Sequence, residues 1–140
     1  MLDEIKSKKE ALILIKQGGE GIKQDKSKAT QIYEGITRLQ SLSDNDSFVE
    51  LVCAIGYEKM SQFKSAISHY DICIESIPDS SLKYGILGMK CRALAKWEEE
   101  KRQYYVLQSA EWYKKAFEIE TIPKWKEWWA DSLVEVQRLK

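Results

Sequence analysis

At 140 residues, with 44% hydrophobic and 31% charged side chains, the chain has the composition of one globular domain. Lys plus Arg and Asp plus Glu number 22 each, so the charge balance argues against general binding to nucleic acid. No apolar run reaches membrane-spanning length, and the charged start of the chain lacks the apolar core of a secretory signal. We therefore expect a cytoplasmic protein without a membrane partner, and three cysteines without metal-type spacing agree with a reducing compartment.

The first predicted elements form a helix pair at about residues 2–41. Only two prolines occur and strand-type alternation is nowhere sustained, which predicts an all-α fold. The first helix is expected over 2–17, because the glycine cluster 18–21 offers the left-handed conformation that ends helices. A phosphate-binding loop is the weaker interpretation, since no Lys-Ser/Thr pair follows the cluster at the spacing of a P-loop and no strand precedes it. Asp25 or Ser27 can cap the second helix, which runs to about Gln40.

A second helix pair is predicted over 47–78. Ser47 and Glu50 stand at capping-box spacing, so the Ser47 hydroxyl and the Glu50 carboxylate are expected to satisfy each other's free amides. A short turn at 61–63 separates the two helices, and Pro78 stops the second. Segment 41–80 carries five more acidic than basic residues. A solvated acidic helix face is the simpler interpretation of this excess, and a basic partner is the alternative.

The second pair resembles the tetratricopeptide repeat, whose pattern is Trp-x2-Leu-Gly-x2-Tyr, Ala-x3-Phe and Pro over 34 residues. The matching residues are Cys53-Ala54-x2-Tyr57, Ala66-x3-Tyr70-x2-Cys73 and Pro78, with Glu50 in place of the family's Trp. The half-motif recurs 34 residues later as Tyr84-x2-Leu87-Gly88-x2-Cys91. The resemblance implies a single domain, a right-handed stack of antiparallel helix pairs with about seven helices.

A third pair is predicted over 81–120, and a closing helix over 123–139. The small-residue motif of the third pair arrives nine residues late, at Ser109-x3-Tyr113-x2-Ala116. Because residues 97–105 are helix-friendly, we expect both helices to be extended by about a turn, with a long ordered loop as the alternative. Pro123 suits the first turn of the last helix, which the resemblance makes the capping helix of the array.

Residues for catalysis, a cofactor or a metal are not evident. His69 is the only histidine, and a surface position is the simplest interpretation, because a general base needs a positioned partner. Cys53, Cys73 and Cys91 stand where the repeat needs small core residues. We therefore predict that the chain is not an enzyme and binds neither cofactor nor metal.

The resemblance places a partner-binding groove on the first helix of each pair. The residues expected to line this concave face are mostly apolar and favour an apolar or helical segment of a partner: Phe48, Leu51, Ile55, Leu82, Met89 and Arg92. The alternative is that the N-terminal helix fills the groove. The expected function is a non-catalytic interaction module, such as an adaptor, assembly factor or subunit. A dedicated small chaperone of a secreted effector, or a toxin-neutralising protein, is the alternative.

Three tryptophans of the closing helix suggest a second interface. Trp125, Trp128 and Trp129 share one stripe, and tryptophans at such spacing are typically core. Three indoles are much surface for one helix to bury, so at least one is expected to be partly exposed and to contact a partner. A homodimer through this helix or through the extended third pair is a further prediction.

Overall fold

The computed structural model describes residues 2–42 and 46–140, with side chains for 6–41 and 46–140. All regular structure in these ranges is helical, which confirms the all-α prediction and the expected number of about seven helices. The α-helices are α1 (Leu2–Gly21), α2 (Ala29–Leu42), α3 (Ser47–Lys59), α4 (Phe63–Ser76), α5 (Ser81–Trp97), α6 (Arg102–Ile119) and α7 (Pro123–Arg138). Short 3-10 helices cover Lys26–Lys28 and Glu99–Lys101.

The chain divides into two compact units, residues 1–69 and 70–140, and the division falls inside α4. In the first unit α2 runs antiparallel to both α1 and α3. Gly18, late in α1, lies against Ile32, early in α2, and Gly56, late in α3, lies against the same part of α2. A hydrophobic core cluster of this unit contains Ala11, Ile15, Ile32, Ile36, Leu39, Val49 and Cys53.

The glycine cluster does not stop α1 where the sequence suggested. The helix continues through Gly18 and Gly19 to Gly21, and among the described residues no glycine has a positive φ. A Cβ at Gly18 would lie only 2.6 Å from Ile32 Cγ1, so this glycine allows α1 and α2 to approach closely. Asp25, expected with Ser27 as a candidate cap of α2, caps the 3-10 helix that precedes α2, because its carboxylate accepts from the Ser27 amide.

The start of α3 also differs from the prediction. Asp46, not Ser47, is the N-cap residue, and its carboxylate accepts from the Phe48 amide at 2.9 Å. The Glu50 carboxylate contacts His69 of α4. Asp caps a helix as well as Ser does. Because Asp46, one residue upstream, takes the N-cap position, the Glu50 carboxylate does not form a capping box and makes a tertiary contact.

α3 ends in a Schellman motif. The Gln62 amide donates to the Tyr57 carbonyl and the Ser61 amide donates to the Glu58 carbonyl, both at 2.9 Å. Ser61 occupies the position where glycine is usual and has a φ of 59°. The predicted turn before α4 is therefore present, and it contains a non-glycine residue in the left-handed region.

In the second unit α5 and α7 run parallel to each other and antiparallel to α6. At one end Ser81 of α5, Ala116 of α6 and Trp125 of α7 are joined by hydrogen bonds. At the other end Ala95, Val106 and Val136 form a buried cluster. α5 and α6 have 17 and 18 residues, against 13 for α3 and 14 for α4, so the predicted extension by about a turn is confirmed.

Candidate partner-binding surfaces

Three of the six predicted groove residues lie in the first unit, on one face of α3. Phe48, Leu51 and Ile55 follow helical spacing, while Val49 and Cys53 of the same helix enter the core. The Phe48 side chain is 44% exposed, and those of Leu51 and Ile55 are half-buried. The Lys8 ammonium lies 5.1 Å from the centre of the Phe48 ring and 3.4 Å from an Asp46 carboxylate oxygen. An apolar row with an aromatic residue at its end thus remains accessible on α3.

The other three groove residues lie in the second unit, where the prediction needs correction. Leu82 is exposed at 49%, as expected of a contact residue. Met89, however, packs against the cluster formed by Tyr113, Ala116 and Trp125. Met89 is therefore half-buried by packing within the unit, whereas Leu82 stays exposed.

Arg92, the third of these residues, is part of an ion-pair network inside the second unit. Its guanidinium contacts Glu135 of α7, and Arg102 of α6 reaches the same carboxylate with its Nη2 atom at 2.6 Å. Partial burial raises the pKa of Glu135, but the hydrogen bond from Arg102 and the charge of Arg92 outweigh it and hold this pKa below its ordinary value. Arg92 therefore links α5 to α7 within the unit, a role that the sequence did not predict.

Trp125 is not an interface residue in the way the sequence suggested, because it lies in the core of the second unit at 7% exposure. Its indole N–H donates to the Ser81 hydroxyl at 2.8 Å, and that hydroxyl donates to the Ala116 carbonyl at 3.0 Å. The indole ring fills the space above Gly85, where a Cβ would come within 2.5 Å of Trp125 Cζ2. This arrangement aligns the starts of α5 and α7 with the end of α6.

Trp128 and Trp129 are half-buried, in agreement with the expectation that some of the three indoles are partly exposed. The Trp128 ring centre lies 5.6 Å from those of both Tyr113 and Trp125. Trp129 packs beside Phe117, with the Lys114 ammonium 5.9 Å from its ring centre. Both rings therefore contribute to packing within the unit while one part of each reaches the surface.

Sequence reasoning missed a polar and aromatic cluster between α3 and α4. His69 is not a surface residue: its side chain is 18% exposed, and its Nδ1 lies 2.5 Å from Glu50 Oε2. The imidazole stacks on Tyr57 with 5.2 Å between ring centres. The available signal for this pairing was Glu50, a carboxylate between apolar neighbours at the position where the tetratricopeptide pattern has Trp.

The thiol of Cys53 lies near the Glu50–His69 pair, and its pKa decides whether it can act as a nucleophile. Burial, together with the nearby Glu50 carboxylate, raises the pKa of Cys53 to about 12. Burial likewise raises the pKa of Cys91 to about 11. Both thiols stay protonated near neutral pH and are poor nucleophiles, as expected of core cysteines. Within the described side chains, no cluster of three or more His, Cys, Asp or Glu residues could hold a metal ion.

No protein-family model matches the chain, and neither curated proteins nor solved structures yield a match. The tetratricopeptide resemblance therefore rests on the motif residues alone, and the right-handed stacking of helix pairs in one domain stays a prediction. In the ranges that the structure describes, no helix is both long and apolar enough to cross a membrane.

Proposed function

We propose that the chain is a non-catalytic protein-binding module, an adaptor, assembly factor or subunit of the tetratricopeptide type. It holds an apolar helical segment of a partner against α3. The observation that carries this proposal is the accessible row Phe48, Leu51 and Ile55, which ends in a 44% exposed phenylalanine. Apolar side chains at such spacing complement the apolar face of an amphipathic helix.

The composition of this row supports the same type of partner. Aromatic side chains dominate the energetics of interfaces, because each can bury a large apolar area. The half-buried state of Leu51 and Ile55 makes Phe48 the most accessible anchor.

The test is affinity capture from the cytosol of the native source, followed by calorimetry with the purified partner. We expect one stoichiometric partner whose affinity falls at least about tenfold with Phe48→Ala. Ile119→Ala is the matched control, since Ile119 is an exposed aliphatic residue on α6, and we expect it to leave the affinity unchanged. The proposal would be contradicted if Phe48→Ala and Ile119→Ala bound the partner equally tightly, or if no stoichiometric partner were captured. An enzymatic activity lost with His69→Ala would do the same.

A further inference from the structure

The accessible row on α3, formed by Phe48, Leu51 and Ile55, has an ammonium group at one end. Lys8 of α1 reaches the start of α3, where its ammonium lies 5.1 Å from the centre of the Phe48 ring and 3.4 Å from Asp46 Oδ2. The other carboxylate oxygen, Asp46 Oδ1, accepts from the Phe48 amide. These contacts hold the Lys8 ammonium beside the most exposed residue of the row.

We infer that the partner helix carries a carboxylate, from Asp or Glu, next to the apolar side chain that packs on Phe48, and that Lys8 binds this carboxylate. The inference rests on the proposed function, because it concerns the partner of the same row. A helix that covers the Phe48 ring also covers the Lys8 side chain, which is 33% exposed. An ammonium group has three donors, and removing them from water is costly unless another acceptor replaces the water. Carboxylates form the strong, charge-assisted hydrogen bonds that meet this need.

The carboxylate of Asp46 does not meet this need alone. Its Oδ1 atom is the N-cap acceptor of α3, and its Oδ2 atom lies 3.4 Å from the ammonium, longer than a charge-assisted hydrogen bond usually is. The N-terminus of α3 also carries a partial positive charge. One carboxylate thus faces both an ammonium group and a helix N-terminus, so a second carboxylate would be stabilised there.

The acidic excess of segment 41–80 does not face this row. Three of its acidic residues lie in the second unit: Asp71, Glu75 and Asp79. In the first unit, Asp46 caps α3, and Glu50 contacts His69 of α4. The excess is therefore no argument for a basic partner at the Phe48 end of the row.

The opposite end of the row has a more balanced charge. Lys59 lies one turn after Ile55, and its stem packs against Gly19, where a Cβ would be 3.3 Å from Lys59 Cγ. Its neighbour Glu58 is half-buried, and the C-terminus of α3 adds a partial negative charge. We therefore assign the selection of a carboxylate to Lys8 and not to Lys59.

The exposed charges of α1 agree with an acidic partner. Ala11 and Gly18 mark the side of α1 that lies against α2. At about 100° per residue, two exposed lysines and one exposed glutamate fall on the opposite side: Lys9, Lys16 and Glu20. This side of α1 is therefore positively charged overall.

Three synthetic peptides test the inference with the full chain. Each is a capped helix of about 15 residues, with leucines at the spacing of the α3 row and one variable residue a turn outside each end of the stripe: Glu, Gln or Lys. A variable residue at both ends makes the result independent of the direction in which the peptide lies. We expect the Glu peptide to bind about fivefold tighter than the Gln peptide at low salt, and the Lys peptide to bind weakest. Fluorescence anisotropy measures the three affinities.

Variants of the chain assign this preference to one lysine. Lys8→Met should reduce the preference for Glu over Gln to less than about twofold, whereas Lys8→Arg should keep most of it. Lys59→Met is the matched control, because it removes the same charge at the other end of the row, and a preference of at least about threefold should remain. Phe48→Ala should weaken all three peptides about tenfold. Circular dichroism checks that each variant keeps its helices.

Failure of this inference can be told apart from failure of the proposed function. If the three peptides bind equally tightly and Phe48→Ala weakens them all, the α3 row binds helices without selecting a carboxylate, and the inference alone is overturned. A preference that survives Lys8→Met but is lost with Lys59→Met overturns it as well. If no peptide binds at about 1 mM, or if Phe48→Ala changes no affinity, the proposed function fails and the inference fails with it.

Discussion

At several single positions, the surrounding structure decides which of two possible contacts a residue makes. Both Ser47 and Asp46 can cap α3, and the structure uses Asp46. Glu50, expected to complete a capping box, pairs with His69. A capping box and a tertiary ion pair require the same residue type, so spacing alone could not separate them. His69 could not be placed from the sequence for the same reason, since its partner lies 19 residues away.

Ser61 offers a prediction at this scale. Its φ of 59° is a conformation that costs a non-glycine residue about 1–2 kcal/mol, part of which glycine loses again through its greater freedom when unfolded. We expect Ser61→Gly to raise the free energy of unfolding by about 0.5–1 kcal/mol. Urea denaturation followed by circular dichroism measures this change.

The matched control is Ser68→Gly, at an exposed position in the middle of α4. There glycine should lower the free energy of unfolding by about 0.5–1 kcal/mol, because it weakens a regular helix. If both variants lowered the free energy of unfolding, the left-handed conformation of Ser61 would carry no cost that glycine relieves.

Whole elements are positioned by contacts between helices that the pattern of one helix does not reveal. From the sequence, glycine at position 85 is expected to destabilise the helix α5. In the structure, its lack of a side chain leaves the space that the Trp125 indole fills. Met89 and Arg92 have the spacing of an accessible face, but Met89 packs against the cluster of Tyr113, Ala116 and Trp125, and Arg92 pairs with Glu135 of α7. The sequence predicted the helix α7, but only its packing showed which side chains of α5 it contacts.

The Gly85 contact can be tested by a single methyl group. We expect Gly85→Ala to lower the free energy of unfolding by about 1–3 kcal/mol, because the new Cβ overlaps the Trp125 ring. Near-ultraviolet circular dichroism should also change as the indole moves. For comparison, a Cβ at Gly19 would lie 3.3 Å from the flexible Lys59 side chain, so Gly19→Ala should stabilise by up to about 1 kcal/mol. Similar effects at both positions would refute a specific role for Gly85.

The Glu135 network predicts an acid-dependent loss of stability. Because the folded pKa of Glu135 is below its ordinary value of 4.5, its charged form stabilises the fold above that pH. This contribution is lost as the pH falls through the lowered value. We expect Glu135→Gln to cost about 1–2 kcal/mol at pH 7, since it leaves Arg92 and Arg102 without their carboxylate.

The difference between Glu135→Gln and the original protein should shrink as the pH falls below the folded pKa, which urea titrations at several pH values can measure. Glu118→Gln is the control, because Glu118 is exposed on α6 and should change stability by less than about 0.5 kcal/mol at any pH. A constant difference between pH 7 and pH 3 would mean that the carboxylate charge of Glu135 does not contribute.

At the scale of the whole molecule, α4 belongs to both compact units. The division falls between His69 and Tyr70, inside one continuous helix. Ala66 on one side of it and Tyr70 on the other are fully buried. Because unfolding of the first unit would remove part of this continuous helix, we expect the folding of the two units to be coupled.

This coupling predicts that a substitution in the first unit is detected by the tryptophans, all five of which lie in the second. Gly56→Ala places a Cβ 3.0 Å from Ile36 and should destabilise the first unit. We expect the urea midpoints from tryptophan fluorescence and from circular dichroism to fall together. A fluorescence midpoint that stays in place while the circular dichroism midpoint falls would show that the units unfold independently.

The sequence alone determined the helical class, the approximate bounds of the helices, the first-turn position of Pro123 and the extension of α5 and α6. These features depend on interactions within a few residues: caps, helix breakers and apolar spacing. The tertiary structure decided which side chains lie against Gly18 and Gly85, which residue pairs with Glu50, the burial of Trp125, and the contacts of Met89 and Arg92 within their unit. Each of these depends on which helix lies alongside, and residues distant in the chain determine that.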